Sequence, residues 1–334
     1  MNPETFSMEQ LAGQRLMVGF EGKQLNAQLK LLIRDMKIGG IILFSQNVET
    51  PGQVKKLCGA VQEYAAVIGQ PPLLIAIDQE GGEVARLKEP FTQFPGNPAM
   101  KGVADAVYFA RTTAAELAEA GINMNLAPVM DVAPDDITSI MAGRSFGQDP
   151  LWVSKLGLTI ISQLQQNNII AVAKHFPGIG RTVADSHIDL PSCEYDLAEL
   201  ESFDLIPFAD SIKQDVAGIM LSHVIYKKID PRWPASLSQR IALKLLRERM
   251  RFSGISMTDD LDMGAIQKHY DIKTVIRQIL QAGIDMTLIC HQGPRIEIAY
   301  KEILKHLRGS AEIEALGIES VKKIMALKEK YLGA

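Results

Sequence analysis

The stretch IIAVAKHFPGIG, residues 169–180, changes character in its middle. Its first five residues are a continuous apolar run, the pattern of a strand buried on both faces, and such strands belong to parallel sheets covered by helices. Lys174 and His175 then bring two polar groups to the strand end, and Pro177, Gly178 and Gly180 turn the chain into a loop. The same order recurs along the chain. Short apolar runs stand at 15–20, 38–44, 73–78, 122–131, 169–175, 218–223, 254–260 and 284–291. Segments of helical periodicity separate them, among them 54–67, 104–120, 151–167, 197–214, 239–251 and 266–282. Eight strands alternating with helices predict an α/β fold, a (β/α)8 barrel of the TIM type. A doubly wound open sheet is the alternative, since periodicity does not establish closure. No Gly/Ser/Pro linker or shift in composition divides the chain, so 1–334 reads as a single domain. It ends in a C-terminal helix over 311–332, whose apolar positions (Ile313, Leu316, Ile318, Val321, Ile324 and Met325) are expected to pack against the barrel exterior.

With 334 residues, 47% of them hydrophobic, the chain can bury a large core without disulfides or metals. Its 35 basic and 39 acidic residues leave a net charge of −4 with no basic block, so no nucleic-acid partner is expected. Cys58, Cys193 and Cys290 are scattered, form no CxxC pair and read as reduced thiols. The opening MNPETFSMEQ shows no basic segment followed by an apolar one, and the apolar runs are too short for a membrane span. A soluble, cytoplasmic monomer that needs neither cofactor nor metal is expected.

Barrels place their chemistry at the C-terminal ends of the strands, and the polar residues gather there. The third strand ends at Asp78 in DQEGGEVAR (78–86), the fourth at Asp131 in NLAPVMDV (125–132), with GRSFG (143–147) soon after. The fifth ends at Lys174 and His175, the sixth at Ser222 and His223, and the seventh at Asp259 and Asp260 in SMTDDLDMGA (256–265). So many ionisable groups would not sit unpaired in a dry interior, and they imply a wet mouth. The loop leaving strand five carries Asp185 and His187 in DSH, close enough for the carboxylate to fix the imidazole tautomer and raise its basicity. Asp259 reads equally as a nucleophile, a metal ligand or an anchor for a sugar hydroxyl. A metal held by Asp185, His187, His175 and Asp259 is the weaker reading, because no HxH or HExxH spacing supports it. Lys174 could form a Schiff base, and Arg144 reads as a hydroxyl or carboxylate clamp, with a structural ion pair to Asp131 as the alternative. His223 reads as a wall residue as much as a pocket residue, and His269, His291 and His306 lack matched partners and read as helical or surface groups.

DQEGG (78–82), LAPVMDV (126–132), GRSFGQDP (143–150), KHFPGIG (174–180), DSH (185–187) and TDDLDM (258–263) together resemble the glycoside hydrolase family 3 β-N-acetylglucosaminidases of bacterial cell-wall recycling. The resemblance spans nearly the whole chain. It implies a retaining exo-glycosidase that forms a covalent glycosyl-enzyme on Asp259, with His187 as acid/base and Asp185 as its partner. Asp78, Arg86, Arg144, Lys174 and His175 match the positions that grip the N-acetylglucosamine ring. The implied substrates are N-acetylglucosamine glycosides, above all muropeptide fragments. A β-glucosidase, a phosphorylase of the same family or a non-catalytic sugar-binding barrel are the alternatives. Two positions depart from the family pattern: Glu83, where arginine is common, and Ile179, where histidine is frequent. Both lie off the catalytic positions and are expected to bear on the leaving-group side or on the loop.

Overall fold

The computed structural model describes residues 2–183 and 185–333. Eight parallel strands close into a barrel: β1 (Leu16–Val18), β2 (Gly40–Leu43), β3 (Leu74–Ile77), β4 (Met124–Asn125), β5 (Ile170–Phe176), β6 (Gly218–Leu221), β7 (Ile255–Asp260) and β8 (Met286–Ile289). Each pairs with its neighbours in sequence, and β1 closes the ring on β8 through Leu16–Thr287, Met17–Leu288 and Val18–Ile289. The expected (β/α)8 barrel is therefore formed, and the open sheet is excluded. β4 is the shortest, because Pro128 has no N–H to donate to a ladder.

The continuous apolar runs are explained by parity. Ile42, Leu74, Ala76, Met124, Ile170, Val172, Met257, Met286 and Leu288 fill the barrel interior. Their neighbours Ile41, Leu43, Ile75, Ile77, Ala171, Ala173 and Ile289 face the surrounding helices. Both faces of every strand are dry, so alternation of polarity is absent until the strand ends.

Three helices expected as single segments differ. The segment 197–214 forms two helices, Leu197–Glu201 and Leu205–Lys213, broken where Asp204 turns inward to pair with Arg181. The segment 266–282 also divides, into Gly264–Gln267 and Ile272–Gln281, because Asp271 caps the second by accepting from Thr274 N. Residues 240–249 form a π-helix. No helix among the described residues is long and apolar enough to cross a membrane.

The C-terminal helix, Ala311–Leu332, corrects the expectation that it lies on the barrel exterior. Ile324 and Leu327 join the interior cluster with Met17, Ile170 and Met286, so the helix forms the barrel floor. Lys328 comes with it. It is fully buried, and its Nζ donates to Gln14 Oε1 at 2.7 Å. Burial pushes its pKa from the ordinary 10.5 down to about 7. The unfolded chain thus holds this proton more tightly than the folded one. The cost is absent above about pH 10.5, grows as pH falls through this window and is complete below about pH 7. At 1.4 kcal/mol per unit it reaches about 5 kcal/mol at most. Lys328→Met is expected to raise the melting temperature by several degrees at pH 6. The gain should vanish towards pH 10, where the variant retains only the loss of the Gln14 contact. A gain independent of pH in a series of thermal melts would show that burial does not displace this proton.

Candidate active site

The parity that fills the barrel also builds the site. Beyond Leu74 and Ala76 the next inward position is Asp78, beyond Ile170 and Val172 it is Lys174, and beyond Ile255 and Met257 it is Asp259. These three reach the mouth from strands three, five and seven. The registers shift beside Lys174 and beside Asp259, which bends the strand ends at the two positions.

A buried ionic hub lies at one side of the mouth. Lys174 Nζ donates to Asp78 Oδ1 at 2.7 Å and lies 2.6 Å from Glu80 Oε1. Glu80 accepts both Nε and Nη2 of Arg144, at 3.0 and 2.7 Å, and Asp78 Oδ2 accepts from Arg86 at 3.3 Å. Burial would raise the Asp78 carboxyl, but Lys174 and Arg86 outweigh it and hold it down to about 2. The same competition leaves Glu80 below its ordinary value and Lys174 above its own. Lys174 is therefore a fixed ammonium, which removes the Schiff-base reading because an imine requires the free amine. The Arg144–Asp131 ion pair is corrected too: Arg144 is held by Glu80. Asp131 instead accepts from His175 Nδ1 at 2.7 Å and from Ile179 N at 2.8 Å. Glu80 is the member of the hub that the sequence reading missed. Its signal was present in DQEGG, two residues beyond Asp78.

Asp259 Oδ1 accepts from Asp260 N at 2.8 Å. Burial would raise its pKa, but His175, His223, this N–H and Lys174 hold it below the ordinary carboxylate range. An ionised oxygen is thereby kept ready in the mouth. Behind it, His223 Nε2 donates to Asp260 O at 2.9 Å, so Nδ1 accepts from Ser236 Oγ at 2.6 Å. Burial lowers the pKa of His223, and the neutral ring serves as a strut, which bears out its reading as a wall residue.

The loop beyond β5 brings Asp185 and His187 over this floor. Asp185 Oδ1 accepts from His187 N at 2.9 Å and from His187 Nδ1 at 2.8 Å. With Nδ1–H engaged, Nε2 is the position left to exchange a proton. The loop is seated on the segment that follows Asp259. Gly264 N donates to His187 O at 3.2 Å and Ala265 N to Ser186 O at 3.0 Å, while Lys268 Nζ donates to Ile188 O at 2.6 Å. A methyl group on Gly264 would meet His187 O and Ile188 O at 2.6 Å, so glycine is what lets the loop lie this close. His269, expected to lack a partner, contacts Asp189 Oδ1 at 2.5 Å as part of the same seat. His306 likewise lies 3.1 Å from Glu302. His291 lines the mouth beside Asp260 and Asp262, the one His/Asp grouping with metal-binding spacing among the described residues. Asp260 Oδ1 already accepts from the N–H groups of Asp262 and Cys290, and Asp262 accepts from His291 N and Gln267 Nε2, with Arg295 Nε 3.0 Å from its Oδ1 as an ion pair.

Two hollows meet at the reacting groups. The inner one, about 410 Å³, is lined by Asp78, Arg86, Lys174, Met263 and Phe44, with Arg86 lying over the Phe44 ring at 5.3 Å. The outer one, about 230 Å³, is lined by Glu83, Ile140, Met141, Ile179 and Asp185. Arg144, His175, His187 and Asp259 border both. All eight predicted site residues thus converge on one mouth. Met257, two residues before Asp259, is buried in the barrel interior, while Met263 lines the inner hollow.

The chain belongs to glycosyl hydrolase family 3: the model of that family's N terminal domain matches residues 7–327. Its relatives include a β-hexosaminidase of Pseudomonas aeruginosa, 34% identical over 291 residues that cover 85% of this chain and 84% of the relative. Among solved structures, a family 3 β-N-acetylglucosaminidase from Paenibacillus sp. str. FPU-7 superposes with a TM-score of 0.94 at 35% identity, over 98% of this chain. This chain spans 63% of that longer protein. NagZ from Neisseria gonorrhoeae, solved in complex with N-trifluoroacetyl-D-glucosamine, superposes with a TM-score of 0.75 at 27% identity, over 94% of this chain and 97% of its own. The enzyme class is accordingly that of the β-hexosaminidases.

Proposed function

We propose that the chain is a retaining exo-glycosidase that removes terminal β-linked N-acetylglucosamine. The observation that carries this reading is the meeting of Asp259 with the Asp185–His187 pair at one junction, beside a hollow rich in charged hydrogen-bonding groups. In the first step an Asp259 oxygen bonds to the anomeric carbon as the glycosidic C–O bond breaks. His187 Nε2 delivers its proton to the departing oxygen. In the second step water attacks the same carbon, His187 takes the water proton, and the Asp259 carboxylate leaves. Retaining glycosidases commonly use two carboxyl groups roughly 5 Å apart; here an imidazole braced by Asp185 takes the second place. Asp78, Arg86, Arg144, Lys174 and His175 are assigned to holding the sugar in the inner hollow, where pre-paired charges lose little on ordering.

The test is release of 4-nitrophenol from its β-N-acetylglucosaminide, with the β-glucoside in parallel. Turnover of the acetamido sugar alone is expected. Preference for the glucoside would overturn the sugar assignment, and binding without turnover of either would favour a sugar-binding barrel. Added phosphate should leave free N-acetylglucosamine as the product; appearance of the sugar 1-phosphate would identify a phosphorylase. The leaving group implied by the family resemblance is the muramic unit of a peptidoglycan fragment in the cytoplasm.

A further inference from the structure

We infer that the outer hollow selects the leaving sugar by charge, with Glu83 as the selecting residue: uncharged or amino sugars are taken, and a sugar bearing a free carboxylate is disfavoured. This rests on the reading of the inner hollow as the N-acetylglucosamine site, since the outer one then receives the leaving group across the scissile bond.

Glu83 is placed rigidly. It stands at the turn between two short antiparallel strands, Gln79–Gly81 and Val84–Ala85. Gly81 and Gly82 have φ of +88° and +63°, left-handed values that glycine adopts without strain. A methyl group on Gly82 would stand 3.0 Å from Gly96 Cα, so the turn is pressed against the chain behind it. On its other side the carboxylate lies over Gly143, where a methyl group would meet Glu83 Oε1 at 3.2 Å. The side chain is exposed and lines the outer hollow.

The charges around it do not compensate it. Arg144, among the described residues the one cationic side chain on this hollow besides histidine, is held bidentate by Glu80. His175 faces Asp131, and His187 faces Asp185. Each positive or titrating group therefore already has a carboxylate, and Glu83 forms no ion pair among the described residues. Ile140, Met141 and Ile179 supply an apolar wall that offers an anion no hydrogen bond from its side chains. An incoming carboxylate would meet net negative potential, whereas hydroxyl, amide or ammonium groups would meet an acceptor. The muramic unit has this carboxylate on its lactyl arm, and a peptide linkage converts it to a neutral amide. The hollow thus distinguishes the bare disaccharide from its peptide-bearing form.

The test compares kcat/KM on three disaccharides: N-acetylglucosamine β1,4-linked to N-acetylglucosamine, to N-acetylmuramic acid, and to the lactyl methylamide of that acid. The full chain and Glu83→Gln are both measured, with the 4-nitrophenyl β-N-acetylglucosaminide as a control for the sugar assignment. The free acid is expected to be cleaved on the order of 5- to 10-fold less efficiently than the methylamide, from the Coulomb energy of an exposed pair a few Å apart. Glu83→Gln should bring the acid/amide ratio close to one, and added salt should narrow it in the unmodified chain. An acid/amide ratio that Glu83→Gln does not change overturns the charge selection while leaving the glycosidase reading intact. Failure of the unmodified chain on the aryl glycoside and all three disaccharides overturns both together.

Discussion

Asp259→Asn and Asp259→Ala are each expected to lower kcat/KM on every N-acetylglucosaminide by a factor on the order of 10⁴ or more, the scale of removing a catalytic nucleophile. The alanine variant is needed because asparagine can deamidate back to aspartate and leave a trace of active enzyme. Folding should survive both. Asp259 is half-buried at the mouth, and its recorded hydrogen bond is to the N–H of the next residue. A 2-fluoro glycoside with a good leaving group should label the unmodified chain on the peptide containing Asp259, and should label neither variant. The alternative is attack by the substrate's own acetamido oxygen, in which case no enzyme residue is labelled. Loss of less than tenfold on substitution, with no adduct, would remove Asp259 from the bond-forming role. Because the neighbouring histidines, the Asp260 N–H and Lys174 hold this carboxyl below its ordinary range, it stays ionised at neutral pH. Activity should therefore fall on the acid side only as pH drops towards that lowered value.

His187→Ala carries the second large effect, and its signature lies in the leaving group. Disaccharides, which depart as poor leaving groups, should lose 10²- to 10⁴-fold in kcat/KM, the range of a positioned general acid. The 4-nitrophenyl glycoside departs as a stable anion and should lose far less in kcat/KM. Its kcat should still drop, because the second step requires the imidazole to take a proton from water. That divergence separates a proton carrier from a residue that merely shapes the loop. Equal losses on both substrates would end the general-acid assignment. Asp185→Asn should follow the same pattern at smaller size, since Nδ1 loses its carboxylate but keeps an acceptor.

The barrel was legible because every strand showed an apolar run dry on both faces, and strands three to seven also carried polar residues at their C-terminal ends. Asp78, Lys174 and Asp259 could be read as a convergent set because they continue the inward parity of their own strands. What could not be read were partners set by the third dimension. Glu80 sits on a hairpin whose direction depends on two glycines, so nothing in DQEGG told its carboxylate from a solvated one. An ion pair with Arg144 was one alternative open to Asp131, yet the chain folds it under His175 and the loop amide of Ile179. His269 sits 80 residues from the aspartate it meets. The floor helix showed its apolar stripe plainly, but periodicity says only that a face is buried and not against what.

Ring closure gives the barrel a particular history. The first strand completes its pairing only with the last, as Leu16 to Val18 meet Thr287 to Ile289, and Arg15 donates to the carbonyls of Ile284 and Asp285 some 270 positions away. Until those residues have left the ribosome, one edge of the growing sheet has no mate. Its bottom stays open until Ile324 and Leu327 arrive. Contacts so distant along the chain make for slow, late consolidation. A nascent chain should therefore be a client for holding chaperones until residues 311–332 have emerged, and its protease resistance should appear abruptly at that point rather than build up segment by segment.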